Sequence, residues 1–160
     1  MGYDIYILNS DDTHAEGDDN YFRIAYTAMP RTLDTMLNFG MLVELPLPEA
    51  PPLEAYGLRV EQMQPGYRAD TATAQRVAEY RAARNALLKA APSHPAGISA
   101  YKLRHNDGFV VTPAEINAAL SAYEAHPHAT VSELPVGNQT WPHWVTFLRR
   151  AAERGGFRTL

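Results

Sequence analysis

Four prolines within seven residues, Pro46, Pro48, Pro51 and Pro52, constrain this chain more than any other local feature. Each lacks an amide donor and pushes its predecessor away from the helical region, so neither a helix interior nor a central strand can run through them. Regular structure must therefore be built on either side. We read residues 44–70 as a proline-rich surface segment, held down by Tyr56, Leu58, Val60 and Tyr67, within a single domain covering 1–160. A linker between two domains fits less well, because neither flank is large enough to bury a core easily by itself.

On the N-terminal side, Tyr3, Ile5 and Ile7 alternate with Asp4, Tyr6 and Leu8, which predicts a strand. The polar stretch from Asn9 to Asn20 reads as an exposed loop, and Tyr21 to Tyr26 as a second strand. Pro30 suits the first turn of a helix, with Leu33, Met36, Leu37 and Met41 as its apolar stripe. Beyond the prolines, Asp70 or Thr71 can cap a helix reaching about Ala91, with Val77, Tyr80, Leu87 and Leu88 on one face. Ile98 to Leu103, Asp107-Gly108 and Phe109 to Val111 together predict a β-hairpin whose tip is 104–108. Thr112-Pro113-Ala114-Glu115 is a capping box, each end's side chain meeting the other's free amide, and Ile116, Ala119, Leu120 and Tyr123 continue it at helical spacing. Residues 125–139 read as loop. A last helix carries Trp141, Trp144, Val145, Leu148 and Ala152 inward and stops at Gly155-Gly156.

These elements predict an α+β fold: a small, mainly antiparallel sheet of about four strands with about four helices packed against it. Composition narrows function mainly by exclusion. With no cysteine, thiolate chemistry, disulfides and cysteine-bound zinc or iron–sulfur clusters are ruled out. A net charge of −4 gives no ground for a nucleic-acid partner or an anionic membrane. No apolar run approaches the roughly 20 residues needed to cross a bilayer, so a cytoplasmic setting is expected. Nucleotide-binding and hydrolase signatures such as G-x-x-x-x-G-K-[ST], G-x-S-x-G and H-E-x-x-H are missing, and no cofactor is expected.

The remaining candidates each have a plainer explanation. Asp11 and Asp12 open an acidic loop, but its spacing puts Arg23 where calcium would need a bidentate carboxylate. His126 and His128 are a pair without a placed third metal ligand. His105 and Asp107 could do acid–base work, although asparagine, aspartate and glycine in Arg104-His105-Asn106-Asp107-Gly108 are what a tight turn requires. Arg84 interrupts an apolar helix face and could hold an anion or lay its stem on the core. Pro48-Glu49-Ala50-Pro51 has the spacing of an extended proline ligand, without a basic anchor beside it.

Three stretches carry a resemblance: Tyr3-Asp4-Ile5-Tyr6-Ile7, the run from Asn106 to Glu115, and Phe147 to Phe157. They are similar to a group of uncharacterised proteins of actinobacteria and their phages, in which the asparagine-aspartate-glycine turn is often followed by tryptophan, here Phe109. The resemblance covers the first strand and the last third of the chain. It implies a bacterial or phage setting and supplies no catalytic residue.

The reading that follows is a non-catalytic protein-binding module, such as a phage-encoded modulator of a host or defence protein. Its contact surfaces would be the acidic loop, the proline segment at Pro48 and Pro51, and Arg104 and Asn106 at the 104–108 tip. One alternative is a small metal-dependent or acid–base enzyme using His105 and Asp107, with His126 and His128. Another is a structural component of a virion.

Overall fold

A computed structural model describes residues 1–126 and 140–160; the expected loop, including His128, falls largely outside them. The chain divides into two compact units, Met1–Pro46 with Ala91–Leu160, and Leu47–Ala90.

The first unit opens with strand β1 (Gly2–Ile7), antiparallel to β2 (Tyr21–Ala25), with Tyr3 opposite Ile24 and Ile5 opposite Phe22. Alternation turns Ile5 and Ile7 into the core. Helix α1 (Met29–Asn38) carries Pro30 in its first turn, where a missing amide donor costs nothing. Met36 and Met41 of the expected stripe are buried and Leu33 is half-buried, but Leu37 is exposed. Strand β3 (Leu42–Val43) follows.

The predicted hairpin over 98–111 is not formed. Strand β4 (Ile98–Ser99) runs parallel to β3, α3 (Tyr101–Arg104) is a single helical turn, and β5 (Val110–Val111) pairs with residues near the C-terminus. The physical reason is burial on every side. Ile98 to Leu103 are all buried, so the stretch never had the one-wet-face alternation of a hairpin strand. The turn chemistry is real but serves another purpose: Gly108, at φ 81°, takes the chain into the sheet and donates its amide to the Thr159 carbonyl.

Helix α4 (Pro113–Glu124) begins at the capping box, with the Thr112 and Glu115 side chains each accepting from the other's backbone. Helix α5 (Thr140–Ala152) buries Trp141, Trp144, Val145, Phe147 and Leu148. Strand β6 (Phe157–Thr159), which sequence reasoning missed, lies between β1 and β5 and completes an antiparallel sheet of order β2-β1-β6-β5. Its entry is set by two glycines. A Cβ on Gly155 would lie 2.4 Å from the Asn9 carbonyl oxygen, and one on Gly156 2.0 Å from that of Val111. The α+β architecture is as expected. Every member of the main buried cluster comes from this unit.

The second unit holds the proline segment from Leu47 onward, two 3₁₀ turns (Leu53–Tyr56 and Val60–Met63), and α2 (Thr71–Lys89). Asp70 caps α2 by accepting from the Thr73 amide at 2.7 Å. Leu58 is buried and Tyr56 packs edge-on against Tyr80 at 5.6 Å. Val60 and Tyr67 are exposed, so two of the four expected anchors do not anchor. The stripe Val77, Tyr80, Leu87 and Leu88 is half-buried. Among the described residues, no helix is long and apolar enough to cross a membrane.

Candidate functional site

Two of the polar side-chain clusters among the described residues of the first unit contrast in their access to solvent. One is closed. Lys102 on α3 is fully buried and donates from Nζ to the Glu115 carboxylate and to the Val110 carbonyl, both at 2.8 Å. The other Glu115 oxygen accepts from the Ser99 hydroxyl at 2.9 Å, and its first oxygen also accepts from the Thr112 amide and hydroxyl at 3.0 Å. Burial holds the Lys102 ammonium below the ordinary lysine range, with Glu115 pulling the other way. Ser99, Lys102 and Glu115 are each no more than 1% exposed. Both Glu115 oxygens and two of the three Lys102 ammonium protons are engaged inside, so the arrangement ties β4, α3, β5 and α4 together.

The other constellation is open. Tyr3 on β1 and Met29, Pro30, Leu33 and Asp34 on α1 join Arg104 to line a groove of about 330 Å³. Met29 is buried and forms part of the floor; Leu33 is half-buried; Pro30, Asp34 and Arg104 are exposed. Pro30, Leu33 and Asp34 share a helix face because they stand three and four residues apart. Tyr3 donates its hydroxyl to the Arg104 carbonyl at 3.3 Å and packs edge-on against Tyr26 at 4.9 Å. Partial burial, with Tyr26 second, raises the Tyr3 phenol above its ordinary value.

Arg104 is already engaged. Its two terminal nitrogens bind the two Glu44 oxygens at 2.7 and 2.5 Å, a bidentate fork that lowers the Glu44 carboxyl below its usual range and raises the guanidinium. Asn106 donates to the Tyr26 hydroxyl at 3.0 Å. Sequence reasoning named Arg104 and Asn106 as contact residues, Tyr3 and Leu33 only as parts of a strand and a helix stripe, and Asp34 not at all. The i, i+3, i+4 pattern of Pro30, Leu33 and Asp34 was legible; that β1 would supply its aromatic neighbour was not.

No protein-family model, curated protein or solved structure matches this chain. Geometry alone must sort the remaining candidates.

His105 and Asp107 are exposed, and neither side chain has a hydrogen bond or ion pair among the described residues. The 104–108 stretch therefore splits, with Arg104 and Asn106 anchored and its acid–base pair left in solvent. His126 is exposed, with Nδ1 2.8 Å from the Ala122 carbonyl and its ring edge-on to Phe39. No group of three histidine, aspartate or glutamate side chains able to hold a metal occurs among the described residues.

Asp11 accepts from both the Thr13 amide and its hydroxyl, at 3.1 and 2.6 Å, which lowers its carboxyl and closes a turn in which the Asp12 amide donates to Asn9. Asp11 thus shapes backbone. In the second unit, Arg84 is exposed on α2, and Pro48 and Pro51 are half-buried in irregular chain. None of them lines the groove.

Proposed function

We propose that this chain is a non-catalytic protein-binding module and that its groove receives an apolar side chain from the partner. A cytoplasmic role as a phage-encoded modulator of a bacterial host or defence protein is the setting this reading assigns to it. The observation that carries it is an apolar groove wall beside polar groups that already bind one another, with the Asn106 Oδ1 the buried oxygen among them left without a partner. Arg104 is occupied by Glu44, the Tyr3 hydroxyl proton by the Arg104 carbonyl, and the Tyr26 oxygen by Asn106. What remains for an incoming molecule is contact area over Tyr3, Met29, Pro30 and Leu33, with the exposed Asp34 carboxylate beside it. Filling such a site with one leucine or phenylalanine contributes about 1.5–3 kcal/mol, so the partner must add contacts around the rim.

Selection from a random peptide display library tests the reading. Enriched peptides should share an apolar residue, shift the amide resonances of Leu33 and Asp34, and lose binding to a Leu33→Lys variant whose amide spectrum shows it folded. A selection that enriches nothing, or peptides that shift only residues outside the groove, would overturn it.

A further inference from the structure

Resting on the reading of the groove as a receptor for an apolar side chain, we infer that a second copy of this chain supplies it. In that pair α1 packs antiparallel against α1 of the other copy about a two-fold axis, and each Leu37 enters the other's groove. The exposed surface of α1 carries the case. At roughly 100° per residue, Leu33, Leu37, Pro30, Asp34 and Arg31 follow one another round the helix in that order. Leu37 is 50% exposed and extends the apolar wall one turn beyond Leu33. Arg31 and Asp34 share one flank of this stripe. Both are exposed, and neither side chain has a hydrogen bond or ion pair among the described residues. The Arg104–Glu44 fork is neutral as a unit. One free charge of each sign favours neither an acidic nor a basic partner, but it complements itself when turned round.

Geometry selects the antiparallel arrangement. A two-fold axis in the plane of contact, perpendicular to the helices, sets the same flank of each copy together with residue order reversed. With that axis midway between Leu33 and Asp34, Leu33 meets Leu33. Leu37 of each copy then stands over Pro30 of the other, in the groove that Pro30 lines with Tyr3 and Met29. Arg31 of each lies within about 3 Å along the axis of Asp34 of the other, at roughly 1.5 Å per residue, an offset its long side chain spans. Two reciprocal ion pairs flank one apolar seam. A parallel two-fold pair would put these charges on opposite sides. Two helical turns bury less than the roughly 800 Å² per partner of a standard interface, so the dimer is weak and concentration-dependent.

Sedimentation equilibrium and amide resonances of the full chain, followed from micromolar to millimolar concentration, test this. The mass should rise towards that of a dimer, with shifts at Leu33, Asp34 and Leu37, and Leu37→Lys should abolish both. Arg31→Asp and Asp34→Arg, each shown folded by its amide spectrum, should each weaken association by about two- to thirty-fold, since each makes both ion pairs repulsive at once. The double reversal should restore it, and the two single variants mixed should pair with each other more tightly than either does with itself. A chain monomeric at millimolar concentration, a dimer that Leu37→Lys leaves intact, or single reversals that the double does not rescue would overturn the inference. In each case, selected peptides that still shift Leu33 and Asp34 leave the binding reading standing, and peptides that never perturb the groove overturn both.

Discussion

At the scale of single residues, the buried Lys102–Glu115 pair is the most consequential contact in the first unit. Each charge is compensated only by the other and by backbone and hydroxyl groups, so removing one leaves the other stranded in the core. Glu115→Gln and Lys102→Met should each destabilise by about 3–5 kcal/mol in urea unfolding, and the double variant by clearly less than the sum, since both delete the same interaction. The sign of the pH dependence follows from burial. With the folded-state pKa of Lys102 depressed, the unfolded chain holds the proton more tightly between that value and the ordinary 10.5. Wild-type stability relative to Lys102→Met should therefore rise with pH across that window. A difference flat with pH would show that Lys102 is not held down.

Glu44 works in the opposite range. Its carboxyl is lowered from 4.5 by Arg104, so its contribution is present above 4.5 and disappears as pH falls through the depressed value. Glu44→Gln should remove that acid-side loss, measured as melting temperature against pH. None of these pairings was legible in sequence. Lys102 looks like an ordinary hairpin lysine until its surroundings are known.

Elements divide by how local their causes are. Helix α4 was predicted correctly because its start is written in four consecutive residues, and Thr112→Ala should cost about 1 kcal/mol while Thr112→Ser retains most of the cap, both read from denaturant midpoints. The strands β3, β4, β5 and β6 have two or three residues each, too few for a period of two to register. Their pairing depends on partners as far apart as β1 and β6. The hairpin reading failed for the same reason: Asp107-Gly108 announces a turn but cannot say which strand lies beyond it. Gly155 and Gly156 were legible as a helix stop and illegible as the seat of β6. Gly156→Ala combines a φ of 81° with a Cβ placed 2.0 Å from the Val111 carbonyl oxygen. It should destabilise by at least about 2 kcal/mol, seen as a large drop in denaturant midpoint.

For the molecule as a whole, the two units differ in what they can sustain. The main buried cluster belongs entirely to the first, whereas the long helix of the second carries only half-buried apolar residues. Replacing 47–90 with a short glycine–serine bridge should leave a chain that unfolds cooperatively, and a peptide of 47–90 alone should show little helix by circular dichroism. Loss of cooperativity in the bridged chain would mean that the second unit contributes to the first one's core. The sequence named the proline segment, but a run of prolines marks where regular structure stops without saying to which body the next helix belongs.

Because β6 sits in the interior of the sheet, β1 and β5 have no bond to each other until it arrives. A ribosome-bound chain that has already emitted both of them still lacks the rung joining the halves. Joining of the two halves therefore waits on residues 157–159, which pair with β1 on one side and β5 on the other, whereas β1 and β2 pair without them.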